Sequence, residues 1–203
     1  MTTHLDIGCG DRPRNPYGRD ELHAVDIADG GVPNFRAANL SVAPIPHADA
    51  SFDSVSAFDF LEHVPRVLNS ADGRGTRLPF IELMGEIHRV LKPGGLLYAL
   101  TPAWPQEAAF LDPTHVNVIA YGTWRYFCTD PRDGAPPMAR MYGFAGDFRM
   151  RRNEWALLPE AFTASPEMPW PRRLRRWHRA RRGRLTHLVW EFECIKAGAD
   201  AAL

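Results

Sequence analysis

The chain has 203 residues, of which 45% are hydrophobic and 24% are charged, and its formal net charge at pH 7 is zero. These values are ordinary for a globular domain with a substantial core. No apolar run reaches the length of a membrane span and the N-terminus has no signal-peptide pattern, so we expect a cytoplasmic protein without a membrane span. The three cysteines are far apart, which indicates a reducing compartment and excludes a zinc site built from cysteines.

The first predicted element is a strand over residues 3–8 that runs into the turn Gly8-Cys9-Gly10. Glycines at the carboxyl end of a parallel strand let the backbone turn and approach a ligand closely, and ligands bind at that edge of an open α/β sheet. The third glycine of a dinucleotide fingerprint is replaced by Pro13, which has no N–H to offer a pyrophosphate. The turn therefore predicts a ligand site and argues against NAD.

A second predicted strand over residues 21–27 carries Asp26 near its end, where a carboxylate can accept hydrogen bonds from both hydroxyls of a ribose. The connecting residues 11–20 are rich in proline and glycine, so we expect the helix between these strands to be short or absent. A short third strand over residues 34–37 precedes Asn39, which either meets the edge of a nucleobase or belongs to an ordinary turn.

Four further elements are predicted from periodicity, namely strands at 52–58, 96–101 and 148–157 and a helix at 78–91. Prolines and aromatic residues accumulate after the strand at 96–101, and we interpret roughly residues 102–146 as an insertion or lid that covers the substrate. Residues 185–196 alternate between apolar and polar and predict a last, antiparallel strand.

Five blocks carry a resemblance to a known family: Leu5-Asp6-Ile7-Gly8-Cys9-Gly10, Val25-Asp26-Ile27, Ser51-Phe52-Asp53, Leu61-Glu62-His63-Val64 and Arg89-Val90-Leu91-Lys92-Pro93-Gly94-Gly95. In this order they resemble the Rossmann-like, or class I, S-adenosylmethionine-dependent methyltransferases over roughly residues 3–127. The resemblance implies an α/β fold with a mostly parallel seven-stranded sheet and an antiparallel last strand. It also implies a single methyltransferase domain over residues 1–203 with S-adenosylmethionine as cofactor.

The same resemblance implies a set of cofactor-binding residues: Asp6, Gly8, Cys9, Gly10, Asp26, Ile27, Asn39, Leu40, Phe58 and Asp59. The first four would hold the methionine part through backbone and water, and the last two would lie beside it. Asp26 would bind the ribose, Ile27 and Leu40 would enclose the adenine, and Asn39 would bond to its edge.

Methyl transfer to a hydroxyl also needs a base that takes up the acceptor's proton, and two places along the chain offer one. His63 follows the strand at 52–58, and His115 follows Asp112, which could orient the imidazole and stabilise its charged form. A histidine that merely packs beside the cofactor and an aspartate that merely forms a turn remain the alternatives.

Asp59, Glu62 and His63 lie within one helical turn and could bind a divalent metal ion. This stretch resembles the Glu-x-x-Glu-His arrangement of methyltransferases of ubiquinone side-ring methylation, with Asp59 in place of the first glutamate. Such an ion could bind a hydroxyl-bearing substrate and lower the pKa of that hydroxyl. Solvated acids and a core histidine are the alternative interpretation.

Residues 172–184 contain eight arginines and no acidic residue, with apolar positions at helical spacing. This pattern is typical of a basic amphipathic helix that could bind nucleic acid phosphates, an anionic surface or an acidic partner. A solvated helix that pairs with the protein's own acidic residues is the alternative.

The residues and the resemblance together predict an enzyme, an S-adenosylmethionine-dependent methyltransferase that acts on an oxygen or nitrogen atom of a small-molecule acceptor. The alternative is a methyltransferase for nucleic acid or protein that uses residues 172–184 to hold its substrate. A binding module without activity is disfavoured, because the glycine turn and Asp26 are both intact.

Overall fold

The structure is a computed structural model that describes residues 1–158, 160–164 and 168–196. Nine strands are assigned in this part of the chain: β1 (Thr3–Ile7), β2 (Glu21–Asp26), β3 (Phe35–Ala37), β4 (Phe52–Phe58), β5 (Leu68–Asn69), β6 (Thr76–Arg77), β7 (Leu91–Pro102), β8 (Phe148–Trp155) and β9 (His187–Cys194). The described α-helices are α1 (Pro79–Val90), α2 (Ala108–Leu111) and α3 (Trp170–Arg181). Short 3-10 turns cover Leu61–His63, Thr123–Tyr126, Met138–Tyr142 and Glu160–Phe162.

Seven of the strands form one sheet in the order β3-β2-β1-β4-β7-β9-β8. Strand β1 pairs in parallel with β2 and β4, and β4 pairs in parallel with β7. Strand β9 is antiparallel to both of its neighbours, β7 and β8. The predicted fold class, including the antiparallel last strand, is therefore confirmed.

The connection from α1 to β7 differs from the expectation that a strand would begin only at residue 96. The strand begins at Leu91, directly after the helix, and pairs there with Phe52. The next pair is Leu96 with Ser54, so residues 92–95 bulge out of the ladder, and Gly94 adopts a positive φ of 74° within the bulge. The Pro-Gly-Gly segment bends a strand and does not simply separate a helix from it.

One face of the sheet carries most of the core. Helix α1 repeats apolar residues at helical spacing and buries Phe80, Leu83, Met84, Ile87 and Val90. They join inward-facing side chains of β1, β4, β7 and β9 in one hydrophobic cluster. The helix begins with Pro79, whose fixed φ suits the first helical position and whose missing N–H costs nothing there.

The opposite face is covered by irregular segments. Residues 11–20 form turns in place of a helix, as the sequence predicts, and Tyr17 packs edge-on against Tyr98 of β7. The hydroxyl of Tyr98 donates to the carbonyl of Ala161 in the last 3-10 turn. Beside them lies a buried polar network, in which the His4 ring bonds to Ser54 and Ser56. In the part of the chain that the structure describes, no helix is both long and apolar enough to cross a membrane.

Candidate active site

The glycine turn after β1 forms the base of a cleft of about 400 Å³ at the carboxyl ends of β1, β2 and β4. Gly8 and Gly10 both adopt positive φ, 68° and 56°, which favours glycine. A Cβ atom on Gly8 would lie 2.2 Å from the Phe60 ring, so position 8 also lacks room for a side chain. Of the expected cofactor residues, seven line this cleft: Gly8, Gly10, Asp26, Ile27, Asn39, Leu40 and Asp59.

Asp26 ties the glycine turn to the end of β2. One carboxylate oxygen accepts the N–H of Gly10 at 2.8 Å, and the other accepts the N–H of Ile27 at 2.6 Å. Each carboxylate oxygen can accept a further hydrogen bond, so both remain able to receive ligand hydroxyls. Ile27 is 71% exposed at the mouth of the cleft, where it offers an apolar surface to a ring.

Asn39 forms the turn that one interpretation expects, and its position leaves the other interpretation, contact with a nucleobase, open. It lines the cleft, and its side-chain oxygen also accepts the N–H of Ser41 at 3.1 Å, as a turn asparagine does. The oxygen keeps a second acceptor position for a ligand amino group.

The structure does not bring Asp6, Cys9 or Phe58 into the cleft lining. Asp6 and Phe58 occupy the alternate positions of their strands and so point to the opposite face of the sheet. The Asp6 carboxylate accepts the Ser56 hydroxyl at 2.5 Å and the N–H of Arg14 at 2.7 Å, and burial raises its pKa to about 7. The Cys9 thiol donates within the turn, to the carbonyl of Gly10.

A second group of side chains lies beside the cleft, where the insertion crosses the end of β4. The N–H groups of Val116 and Asn117 both donate to the carbonyl of Glu62 at 2.9 Å. The Asn117 amide also donates to the carbonyl of Leu61 at 3.0 Å and accepts from Arg66 at 2.7 Å. These bonds fasten the segment that carries Asp112 and His115 onto the 3-10 turn that carries His63.

Asp112, Thr114 and His63 form a hydrogen-bonded chain. An Asp112 oxygen accepts the Thr114 hydroxyl at 2.7 Å and its N–H at 2.8 Å, and these bonds hold the pKa of Asp112 below its usual value. Thr114 Oγ lies 2.9 Å from His63 Nδ1. Since the single hydroxyl proton goes to the carboxylate, Oγ accepts from Nδ1–H, and in the neutral imidazole of His63 the lone pair then lies on Nε2.

This chain corrects the role expected for Asp112. Its carboxylate lies 3.9 Å from His115 Nε2, within ion-pair distance but too far for a hydrogen bond, whereas its hydrogen bonds lead through Thr114 to His63. Thr114 itself was missed by sequence reasoning. The signal was an Asp-Pro-Thr turn in which a hydroxyl two residues after an aspartate can return to the carboxylate.

His115 packs edge-on against His63, with ring centroids 4.7 Å apart, and its Nδ1 lies 3.3 Å from the carbonyl of Ala109. Beneath it, Glu62 is only 1% exposed. One Glu62 oxygen accepts the Thr101 hydroxyl at 3.0 Å, and the other has no hydrogen-bond partner among the described residues. Burial raises the pKa of Glu62 to about 8, so a proton occupies this carboxyl at neutral pH.

The residues that could hold a metal ion differ from the expected set. Ligand atoms of Glu62, His63 and His115 lie within 4.8 Å of one another. Asp59 does not join them, because its backbone adopts φ 48° and its carboxylate lies 3.1 Å from His187 Nε2 of β9. No helical turn forms at residue 59, since the 3-10 turn begins only at Leu61.

Residues 5–99 match the family model described as a methyltransferase domain. The chain is similar to a chain in the complex of the Haloferax volcanii Trm112 methyltransferase activator with a methyltransferase (14% identity, 96% of this chain and 83% of that one, TM-score 0.56). It is also similar to an S-adenosylmethionine-dependent methyltransferase from Archaeoglobus fulgidus (15% identity, 95% and 86%, TM-score 0.54).

A third similar structure is geranyl diphosphate C-methyltransferase from Streptomyces coelicolor A3(2), in complex with Mg²⁺, geranyl diphosphate and S-adenosyl-L-homocysteine. Its identity is 13%, with 96% of this chain and 74% of that chain covered and a TM-score of 0.53. At such identities the structural likeness establishes the fold alone. No curated protein sequence matches the chain.

The sheet order is that of a Rossmann-like methyltransferase fold, as in these solved structures, and residues 5–99 carry the match to a methyltransferase domain. The reaction and its cofactor are proposed on this basis below.

Proposed function

We propose that this enzyme transfers a methyl group from S-adenosylmethionine to an oxygen or nitrogen atom of a small molecule, with His63 as the base. The observation that carries the proposal is the Asp112–Thr114–His63 chain, which selects the neutral tautomer with its lone pair on Nε2, on a residue that lines the cleft. A base in this place can take the acceptor's proton as the new bond forms.

For the cofactor, the cleft supports the placement that the resemblance implies. Asp26 would receive the ribose hydroxyls on its free lone pairs, and Ile27 and Leu40 would lie against the adenine, with Asn39 at its edge. The backbone of Gly8 and Gly10 would follow the methionine part. Asp6, Cys9 and Phe58 would support the turn from behind.

S-adenosylmethionine supplies the methyl group as a sulfonium electrophile, and the protein supplies position and proton transfer. As the acceptor atom bonds to the methyl carbon, the carbon–sulfur bond of the bound cofactor would break and its electron pair would remain on sulfur. The acceptor's proton moves to His63 Nε2. Asp112 stabilises the resulting imidazolium through Thr114, whose hydroxyl is bonded to both groups.

We also propose that the insertion over residues 102–146 covers the acceptor and excludes water. Helix α2 leads directly into Asp112, and its Phe110 and Leu111 side chains are exposed. Exposed apolar side chains next to the proposed base favour an acceptor that is itself partly apolar. The protonated Glu62 adds no negative charge beneath the histidines, as suits a dry site.

The alternative substrate, a nucleic acid or a protein held by residues 172–184, has less support. Arg172 and Arg176 line a cavity against β8, and the half-buried Arg176 is paired with Glu154 of the protein itself. A salt-dependent affinity for RNA or DNA would favour this alternative.

The proposal is tested by following S-adenosylhomocysteine formation with a panel of small hydroxyl- and amine-bearing acceptors, with and without a chelator. We expect acceptor-dependent turnover that the chelator does not change. Turnover only with RNA, DNA or protein would contradict the proposed substrate class. Loss of turnover in chelator, restored by a divalent ion, would assign Glu62, His63 and His115 to metal binding and remove His63 as the base.

A further inference from the structure

Helix α3 carries an apolar stripe that the fold leaves exposed. Trp170, Leu174 and Trp177 recur at positions i, i+4 and i+7, so they share one face of the helix. Their exposed fractions are 74%, 46% and 49%, and none of the residues of α3 is buried. Two tryptophans and a leucine on one exposed face form a larger apolar surface than scattered single side chains do.

An ordinary amphipathic surface helix points its apolar face to the core, whereas α3 leaves its apolar stripe exposed. The only half-buried residues of α3 are Arg176 and Ala180, which lie on a different face from the stripe. Arg176 forms an ion pair with Glu154 of β8. A cavity of about 200 Å³, lined by Arg172, Arg176 and Glu154, lies between α3 and that strand. The face that contains Arg176 and Ala180 therefore contacts the protein, and the stripe lies about a quarter of a turn around the helix, exposed to solvent.

Positive charge surrounds the stripe. Residues 172–184 hold eight arginines and no acidic residue, and Arg173, Arg175 and Arg179 are exposed. The Arg181 guanidinium lies 4.6 Å from the centre of the Trp177 ring. Tryptophan rings with adjacent arginines suit the boundary between lipid headgroups and acyl chains, and anionic headgroups attract clustered arginines.

We propose that α3 binds the surface of an anionic lipid bilayer, with Trp170, Leu174 and Trp177 in the headgroup region and the arginines against lipid phosphates. Nucleic acid fits this helix less well. A phosphate backbone binds outward-facing arginines, whereas here Arg176 is half-buried in an ion pair with Glu154, and two tryptophans and a leucine share the exposed stripe. The site lies at the β8 edge of the sheet, at the other end of the strand order from β1 and β2.

The test is co-sedimentation of the full chain with phosphatidylcholine vesicles that contain either no anionic lipid or about 30% phosphatidylserine. We expect binding to the anionic vesicles to be at least about tenfold tighter, to weaken with salt, and to shift the tryptophan emission to shorter wavelength. Leu174→Ser should weaken this binding at least about tenfold. The matched control is Met141→Ser, which removes another exposed apolar side chain outside α3 and should bind as the wild type does.

Because Leu174 is exposed, its substitution should leave the melting temperature and the methyl transfer to soluble acceptors unchanged, and both are measured alongside. Equal affinity for the two vesicle types, or wild-type binding by Leu174→Ser, would overturn the proposal. So would salt-dependent binding of a nucleic acid duplex that exceeds binding to the anionic vesicles, since it would assign the arginines to phosphodiesters.

Discussion

The cofactor cleft and the histidine cluster share one edge of the sheet, but they are built from different parts of the chain. Backbone atoms shape the cleft: two left-handed glycines set its floor, and Asp26 is held by N–H groups on both sides. Side chains shape the cluster, since His63 reaches Asp112 only through the Thr114 hydroxyl, across 51 residues of sequence.

Because of this difference, substitutions should affect the cofactor cleft and the histidine cluster in different ways. In the cleft, substitutions that move the backbone should matter most, and their effect should fall on cofactor affinity. In the cluster, loss of a single hydroxyl or ring nitrogen should reduce turnover while the cofactor still binds. Cofactor affinity and turnover therefore distinguish the cleft from the histidine cluster.

The largest expected effect is that of His63→Ala on the cluster. Without the base, kcat should fall by about 10²–10⁴-fold, while the dissociation constant of S-adenosylmethionine changes by less than about threefold. The measurement is steady-state kinetics together with calorimetry. The control is His178→Ala, an exposed histidine of α3. A kcat within about twofold of the wild type would remove His63 from the reaction.

Glu62→Gln tests whether the carboxyl of Glu62, beneath the histidine cluster, is neutral in the folded protein. The pKa of Glu62 is about 8 in the folded state and near 4.5 when unfolded, so between these values the folded state binds one more proton. Its contribution to stability therefore falls as pH rises, by about 1.4 kcal/mol per pH unit.

Gln cannot ionise, so the stability of Glu62→Gln relative to the wild type should increase by about that amount per unit from pH 5 to pH 7, measured by urea unfolding. The difference cancels the titration of every other group. A difference that is constant with pH would show that Glu62 is charged in the folded state and paired, for instance with His115.

Gly8→Ala changes the glycine turn at the base of the cleft. The added methyl would clash with the Phe60 ring, and the alanine would have to keep the backbone φ of 68° at position 8. Gly73→Ala is the matched control, because Gly73 has the same φ and nothing within 4 Å of its would-be Cβ. We expect Gly8→Ala to cost about 1–3 kcal/mol more than Gly73→Ala in unfolding free energy, and to weaken cofactor binding selectively. Equal costs would mean that Phe60 moves aside freely.

The smallest expected effect is that of Thr114→Val, which keeps the shape of the side chain and removes the hydroxyl. We expect kcat to fall about tenfold with unchanged cofactor affinity.

Thr129→Val is the control for Thr114→Val, since Thr129 makes the same kind of bond to Asp147 outside the site. If Thr114→Val and Thr129→Val had the same kcat, the hydroxyl of Thr114 would have no part in positioning His63.

The sequence located the residues that line the cleft better than the contacts within the histidine cluster, and the reason is physical. Glycine turns and the acid at the end of a strand are local features, so Gly8, Gly10 and Asp26 could be assigned without knowing the tertiary structure. The partner of Asp112 depends on how the insertion crosses the end of β4, which no periodicity encodes. Asp59 was expected beside Glu62 on a helix, but its positive φ turns it toward His187.

Strand alternation could have shown that Asp6 and Phe58 face away from the cleft, because their neighbours Ile7 and Ala57 belong to the core on the other side. The arginine-rich helix was likewise recognisable from its spacing. The direction of its apolar face was not, since that depends on the ion pair between Arg176 and Glu154.

The central claim is that Asp26 and the glycine turn hold the nucleoside of S-adenosylmethionine. Calorimetric titration of the wild type and of Asp26→Ala tests it most directly, with Asp29→Ala as a control that removes the same charge from the adjacent exposed loop. We predict that Asp26→Ala weakens binding by about 1–3 kcal/mol, the free energy of charge-assisted hydrogen bonds, and that Asp29→Ala binds as the wild type does. Unchanged affinity in Asp26→Ala, or no heat of binding in the wild type, would contradict the account.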